Sequence, residues 1–275
     1  HGRSGMPDLE RCTIDQLGRD LAAVLDATCT SGPVVLVGHS MGGMTIMSYA
    51  GQHRDVVRDR VLAVALVSTS PGGDEMTEFG LGTTAGRVVG SFGPTVLTRL
   101  SRHAGPIGAL RKMGKGVQDA AVQRWAFDSP VSTDLVQLVG DMIFGTSFDV
   151  MAAFLPDMDA LDISGELTAL VGVETLVING DGDLITPPSH SEEIVRRIPA
   201  AADVVVEDAG HILQLEHPQV VTQQLLMLIG RAQRAVAEGL PVSDKPRVRR
   251  TVQDISKKRR VARAKSRRAG REAAS

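Results

Sequence analysis

The chain has 275 residues, enough for one large α/β domain with a full core or two small ones. An apolar share of 43% beside 23% charged residues is an ordinary globular composition, and no run of about eighteen apolar residues occurs, which excludes a disordered chain and a spanning helix. The net charge of −2 hides an asymmetry: thirteen of the 30 Lys and Arg lie from Lys245 onward, opposed there only by Asp254 and Glu272, leaving 17 basic against 30 acidic residues before them. The two cysteines, Cys12 and Cys29, have neither the number nor the spacing of a disulfide framework or zinc site, which fits a reducing, cytoplasmic compartment. The first residue is His1, so the sequence is silent on a leader.

Thr13 with Gln16 makes a capping-box pattern, and Ile14, Leu17, Leu21, Val24 and Leu25 recur on one face, predicting a helix. Gly32-Pro33 ends that connection, and Val34 to Val37 reads as a buried parallel strand. It runs straight into Gly38-His39-Ser40-Met41-Gly42, after which a helical pattern continues to about His53. Glycines at 38 and 42 remove side chains where a sharp strand-to-helix turn brings backbones together. Val61 to Val67 is the next buried strand, closed by the loop signal Ser68-Thr69-Ser70-Pro71-Gly72-Gly73.

Strand signals then vanish from about 74 to 173, where helical patches are broken by Gly and Pro. Most aromatic residues fall there: Phe79, Phe92, Trp125, Phe127, Phe144, Phe148 and Phe154. Phe144, Phe148, Met151 and Phe154 sit at helical spacing and either pack this region against the body or line a pocket. Glu174 to Asn179 resumes the sheet, and Pro188 starts a helix through Ile198. Asp203 to Glu207 is the last strand, followed by Asp208-Ala209-Gly210-His211. Glu216-His217-Pro218 leads into an amphipathic helix through Ala235. From about Glu238, Pro241, Pro246 and the charge run mark a disordered tail outside the domain. The boundaries are therefore 1–73, 74–173, 174–237 and 238–275, with no internal repeat.

G-x-S-x-G between an aliphatic strand and a helix resembles the nucleophile elbow of the α/β-hydrolases. His1-Gly2-Arg3-Ser4-Gly5 is similar to the end of an early R-G-H-G-x-S loop of that family. The resemblance implies an α/β fold: a mostly parallel sheet flanked by helices, with a helical cap inserted at 74–173. It also implies that the first strands lie upstream of His1, so that the chain alone is expected to be inactive or poorly soluble.

Acyl transfer needs a nucleophile, a base within reach of it and a carboxylate that holds the base's tautomer. The family order is Ser, acid, His, each just after a strand, and it falls here on Ser40, Asp183 and His211. The G-x-x-D-x-x-x-P spacing from Gly180 to Pro187 selects Asp183, leaving Asp181 as a turn residue accepting backbone N–H bonds. Asp74 is the candidate if the acid sits one strand earlier. Of seven histidines His211 alone leaves the last strand; His39 is a packing or pocket residue, and His53, His103, His190 and His217 belong to helices or their starts. Glu216 is typical of the family downstream of the histidine and is expected to be structural. The backbone N–H of Met41 would be one oxyanion donor, with the other upstream of His1.

The expected activity is hydrolysis of a carboxylic ester with an apolar acyl group, with His39, Trp125, Phe144 and Phe148 as pocket candidates. No H-E-x-x-H motif or Cys/His cluster is present, and the resemblance calls for neither cofactor nor metal. The same triad serves carbon–carbon bond hydrolases, thioesterases and cofactor-free haloperoxidases, while Ser at the elbow argues against haloalkane dehalogenases and epoxide hydrolases, which carry Asp there. A binding protein that retains the fold is the alternative from another class. The basic tail reads as a solvated extension; contact with anionic lipid is the sharper reading, although Val252, Ile255 and Val261 make a thin apolar face. It lacks aromatic residues to stack on bases, so no specific nucleic acid is expected. Oligomeric state is left open.

Overall fold

Short aliphatic runs build the sheet. The computed structural model describes residues 4–73, 115–257 and 259, and of Phe148 the backbone alone. Its strands are β1 (Val34–His39), β2 (Val61–Val67), β3 (Glu174–Gly180), β4 (Ala202–Val206) and β5 (Arg250–Val252), paired in that order and all parallel. α1 (Ile14–Thr28) precedes them, and between them run α2 (Met41–Gln52), α3 (Arg54–Arg60), α4 (Lys115–Ala126) and α5 (Thr133–Gly145). There follow α6 (Phe148–Asp159), α7 (Pro188–Arg197), the single turn α8 (Leu213–Glu216) and α9 (Pro218–Ala237).

Local chemistry sets several of these ends. The Thr13 hydroxyl accepts the Gln16 N–H at 3.1 Å, opening α1, but the Gln16 amide turns away to Asp20 rather than completing a capping box. Pro188 and Pro218 occupy the first turns of α7 and α9, where a missing N–H costs nothing.

Helices cover both faces of the sheet. On one, Met44, Met47 and Ile194 from α2 and α7 pack with Ile14 of α1 against Leu36, Val64, Leu66 and Val177. On the other, Val221, Leu228 and Ala232 of α9 pack on Ala63, Ala65, Ile178 and Val204. Each such aliphatic side chain stabilises the fold by roughly 1.5–3 kcal/mol on leaving water. The aliphatic run of β1 departs from the expected full burial: Leu36 is buried, whereas Val37 is 53% exposed. The reason is that α9 lies over β2 and β3, and among the described residues β1 has β2 as its only neighbouring strand.

The described part of the 74–173 stretch is helical, with α4 and α5 packing together through Val122, Ala126, Val136 and Val139. Residues 74–114, with Asp74, Phe79, Phe92 and His103, lie outside the described residues.

The stretch expected as a tail from 238 contains a strand. β5 extends the sheet on the far side of β4, and the residues before it are fixed by ion pairs: Arg247 reaches both carboxylate oxygens of Glu174 at 2.6 and 3.1 Å, and Arg249 pairs with Asp203 and Glu192, each at 2.7 Å. In the described part of the charge run, Arg247 and Arg249 complement carboxylates presented by β3, β4 and α7. Residues 260–275 are outside the described residues.

At the β1–α2 turn a Cβ on Gly38 would lie 2.4 Å from the Gly42 carbonyl oxygen, whereas one on Gly42 would meet open space. The second close approach is instead at Gly43, where a Cβ would lie 2.5 Å from Thr69 Oγ1. Gly38→Ala should therefore force backbone apart and destabilise the protein by about 2–3 kcal/mol, read as a lowered urea midpoint. An unchanged midpoint would refute the close approach.

Candidate active site

Parallel strands send all their C-terminal ends to one edge of the sheet, and the candidate residues collect there. Ser40 joins β1 to α2 with φ 52° and ψ −122°, in a region that L-residues rarely adopt. Its backbone is held from both sides: the N–H donates to the Val67 carbonyl at 3.0 Å, and the carbonyl accepts from Thr69 Oγ1 at 2.7 Å and from the Gly43 N–H at 2.9 Å. Met41 begins α2, so its N–H belongs to the first-turn amides that have no partner within the helix.

Asp183 lies in the turn after β3 and is buried, with every oxygen bonded. Oδ1 accepts the Ile185 and Thr186 N–H groups, each at 2.9 Å, and Oδ2 accepts Thr186 Oγ1 at 2.9 Å. His211 Nδ1 faces the same carboxylate at 3.0 Å from Oδ2 and 3.2 Å from Oδ1. Burial pushes this carboxyl up, but the hydrogen bond and charge of His211 with the two backbone amides outweigh it and hold Asp183 below its ordinary range. With Nδ1 engaged by the carboxylate, Nε2 is the ring nitrogen of His211 outside that pair.

The loop carrying His211 is fixed backbone group by backbone group. Asp208 leaves β4 at φ 56°, and its carbonyl accepts His217 Nε2–H at 2.9 Å. Asp181 Oδ1 accepts the Ala209 N–H at 3.3 Å, and Glu216 Oε2 accepts the Gly210 N–H at 2.7 Å. The His211 carbonyl accepts from His39 Nε2 at 2.8 Å, and the two rings stand 4.8 Å apart. His39 thus links the elbow to the base loop. Burial lowers its pKa to about 4, with the adjacent His211 adding to the effect.

The connection after α4 closes over this loop. The Ile212 N–H donates to the Ala126 carbonyl at 2.9 Å, and the Ser129 N–H and hydroxyl both donate to Glu216 Oε1, the former at 2.6 Å. A Cβ on Gly210 would lie 2.6 Å from the Asp128 nitrogen, so only glycine fits beneath that connection.

Among the pocket candidates, His39 is in the site. Phe144 packs against the cluster of Val122, Ala126, Val136 and Val139, as does Ile212, the residue after His211, while Trp125 is 36% exposed on α4 and the Phe148 side chain lies outside the described residues. The helix-bound roles expected of His217 and Glu216 understate them, since both clamp the His211 loop. Ser129 and Thr186 carried no signal in the sequence. Among the described residues no group of three or more His, Cys, Asp or Glu side chains is placed to hold a metal, and no single helix is long and apolar enough to cross a membrane.

A family model described as alpha/beta hydrolase fold matches residues 1–218, and the chain belongs to that family. It is 29% identical over 219 residues to an sn-1-specific diacylglycerol lipase of Mus musculus, a match covering 80% of this chain and 65% of that protein. A pimeloyl-[acyl-carrier protein] methyl ester esterase of Neisseria meningitidis is 27% identical, over 73% of this chain and 59% of its own length. The matches thus span less than two thirds of these relatives. Among solved structures, a thermophilic esterase from Thermogutta terrifontis superposes with a TM-score of 0.58 at 26% identity, covering 80% of this chain and 73% of that one. The enol-lactonase from Burkholderia xenovorans gives 0.61 at 26%, covering 84% and 77%.

The His39 geometry sets a pH dependence. Its pKa falls from 6.5 to about 4 on folding, so between these values the unfolded chain binds the proton and the folded one does not. Stability is therefore full above about pH 6.5 and is lost as pH falls toward 4, by on the order of 3 kcal/mol. His39→Gln, which keeps a donor for the His211 carbonyl, should lack that share of the loss. Urea melts of both proteins at pH 8 and pH 4 compare them, and equal losses would refute the assignment.

Proposed function

We propose that the protein is a serine hydrolase of carboxylic esters, with Ser40 as nucleophile, His211 as general base and acid, and Asp183 as its orienting carboxylate. The observation that carries this reading is the buried Asp183–His211 pair, with Nδ1 held at 3.0 and 3.2 Å from the carboxylate oxygens beside the strained Ser40 turn. The ester hydrolases among the relatives support the reaction class.

A serine hydroxyl is a poor nucleophile until its proton has a destination. His211 Nε2 takes that proton as Ser40 Oγ attacks the ester carbonyl carbon, and Asp183 stabilises the imidazolium so formed. The oxyanion develops toward the Met41 N–H at the start of α2, where the helix dipole also favours negative charge. Collapse of the tetrahedral intermediate breaks the C–O bond, His211 protonates the departing alkoxide, and the acyl group remains on Ser40. Water then attacks with His211 again as base, releasing the carboxylic acid and restoring the serine hydroxyl. The apolar cluster that Phe144 and Ile212 pack against, with Ile212 next to His211 in the chain, supports an apolar acyl group.

A fluorophosphonate probe should label the full-length protein at Ser40, and Ser40→Ala should abolish labelling. Asp183→Asn, which disturbs the tautomer of His211, should lower kcat for a p-nitrophenyl ester by about 10⁴-fold. Folded protein that is not labelled would sink the hydrolase reading and leave that of a binding protein.

A further inference from the structure

The residues beyond α9 do more than extend the sheet. Of the four side chains that fix the backbone of the His211 loop, two are the adjacent residues Glu216 and His217, 3% and 2% exposed. Both are gripped from the C-terminal segment. His217 Nδ1 meets Asp254 Oδ2 at 3.3 Å while its Nε2 holds the Asp208 carbonyl, so the imidazole bridges that segment to the first residue of the loop. Lys257 Nζ reaches the Glu216 carbonyl at 3.4 Å and its Oε1 at 3.7 Å, and donates to the Ser129 hydroxyl that itself bonds Glu216.

The segment is well placed to transmit a position. Its lower end is tied to the start of β3 by Arg247–Glu174 and to α9 by Arg250–Gln224 at 3.1 Å. Its middle is β5, whose Val252 carbonyl accepts the Glu207 N–H at 3.0 Å, immediately before the loop. Its upper end is turned inward by Asp254, whose Oδ1 accepts the Lys257 N–H at 2.8 Å. These residues all lie after residue 218, where the match to the family model ends.

The Glu216 side chain is fully buried, and hydrogen bonds and a nearby cation hold its carboxylate in place. Lys257, only 14% exposed, supplies that cation. Glu216 accepts from Gly210 on one oxygen and from Ser129 on the other, so the His211 loop and the connection after α4 are pinned to a single carboxylate. We infer that residues 245–257 form a strap that sets the position of His211, with Lys257 a positioning residue acting through Glu216. The inference rests on the triad reading above, since the strap has a catalytic effect only if His211 moves protons.

The test uses the full-length protein with p-nitrophenyl ester kinetics, fluorophosphonate labelling and thermal melts. Lys257→Met should lower kcat about tenfold or more with KM within about twofold, because a base displaced by a fraction of an ångström loses rate rather than ground-state binding. Lys257→Arg should recover at least half of the parent kcat. Lys257→Gln retains hydrogen-bond donors for Ser129 and the Glu216 carbonyl but lacks charge, so it serves if the Met variant does not fold, and it should show the same kcat-selective loss. A kcat within twofold of the parent in a folded Met or Gln variant would overturn the strap while leaving Ser40 labelling intact. A loss carried equally by KM, or one that Arg does not rescue, would also overturn it. Failure of the triad reading looks different: the parent itself would not label at Ser40, and both readings would fall together.

Discussion

A wholly parallel sheet returns the chain to the same edge after every crossover, and the site depends on that constraint. β1, β3 and β4 end within one row, so the turns that carry Ser40, Asp183 and His211 gather at one edge, where Asp183 pairs with His211 and His39, next to Ser40, holds the His211 carbonyl. The crossovers bury the sheet, α2 and α7 on one face and α9 on the other, which frees the edge to carry polar loops. The turns at that edge are sharp, and the strain is local to it. The three non-glycine residues with positive φ among the described residues are Ser40, Ser68 and Asp208, each at a strand exit. Such conformations persist only where surrounding bonds over-determine them. Ser40 has Val67, Thr69 and Gly43 on its backbone, Ser68 donates to the Ile178 carbonyl, and Asp208 has His217.

What the sequence disclosed is local. An aliphatic run before G-x-S-x-G, a Thr ahead of an amphipathic pattern and a Pro before a helix each act within a few residues, and the elements appear where those signals lie. The Asp183–His211 pair was legible because each residue sits directly on a strand exit and the order matches a known family. The supporting shell was not, because its bonds cross elements. Nothing near Ser129 announces that its amide and hydroxyl serve a carboxylate 87 residues away. His39 reads as belonging to the elbow, yet its function is to hold the carbonyl of residue 211. β5 was hidden for a different reason. Three residues, Arg250-Thr251-Val252, are too few for a period-two pattern, and the surrounding Lys and Arg read as solvated unless their carboxylate partners are known.

Those partners also change the meaning of the charge asymmetry. The acidic body and the basic C-terminus partly neutralise each other, because Glu174, Asp203, Glu192 and Glu216 face Arg247, Arg249 and Lys257. The location of each pair decides its worth. Arg58 with Asp55 and Asp59 is well exposed, so water and salt screen these pairs and they add little. Glu174 is buried, with Arg231 and Arg247 on the same carboxylate, and although burial pushes its pKa up, the two guanidinium groups bring it below the ordinary range. Replacing such a cluster by apolar side chains is often neutral, whereas removing Glu174 would leave two guanidinium groups without their carboxylate. The cluster therefore selects an arrangement more than it adds net stability: an apolar patch at the foot of β3 would tolerate the C-terminal segment in several registers, but a bidentate Arg247–Glu174 pair fixes one. That register puts β5 beside β4 with Val252 opposite Val206, and it is this alignment that brings Asp254 and Lys257 to His217 and Glu216 at the other end of the sheet.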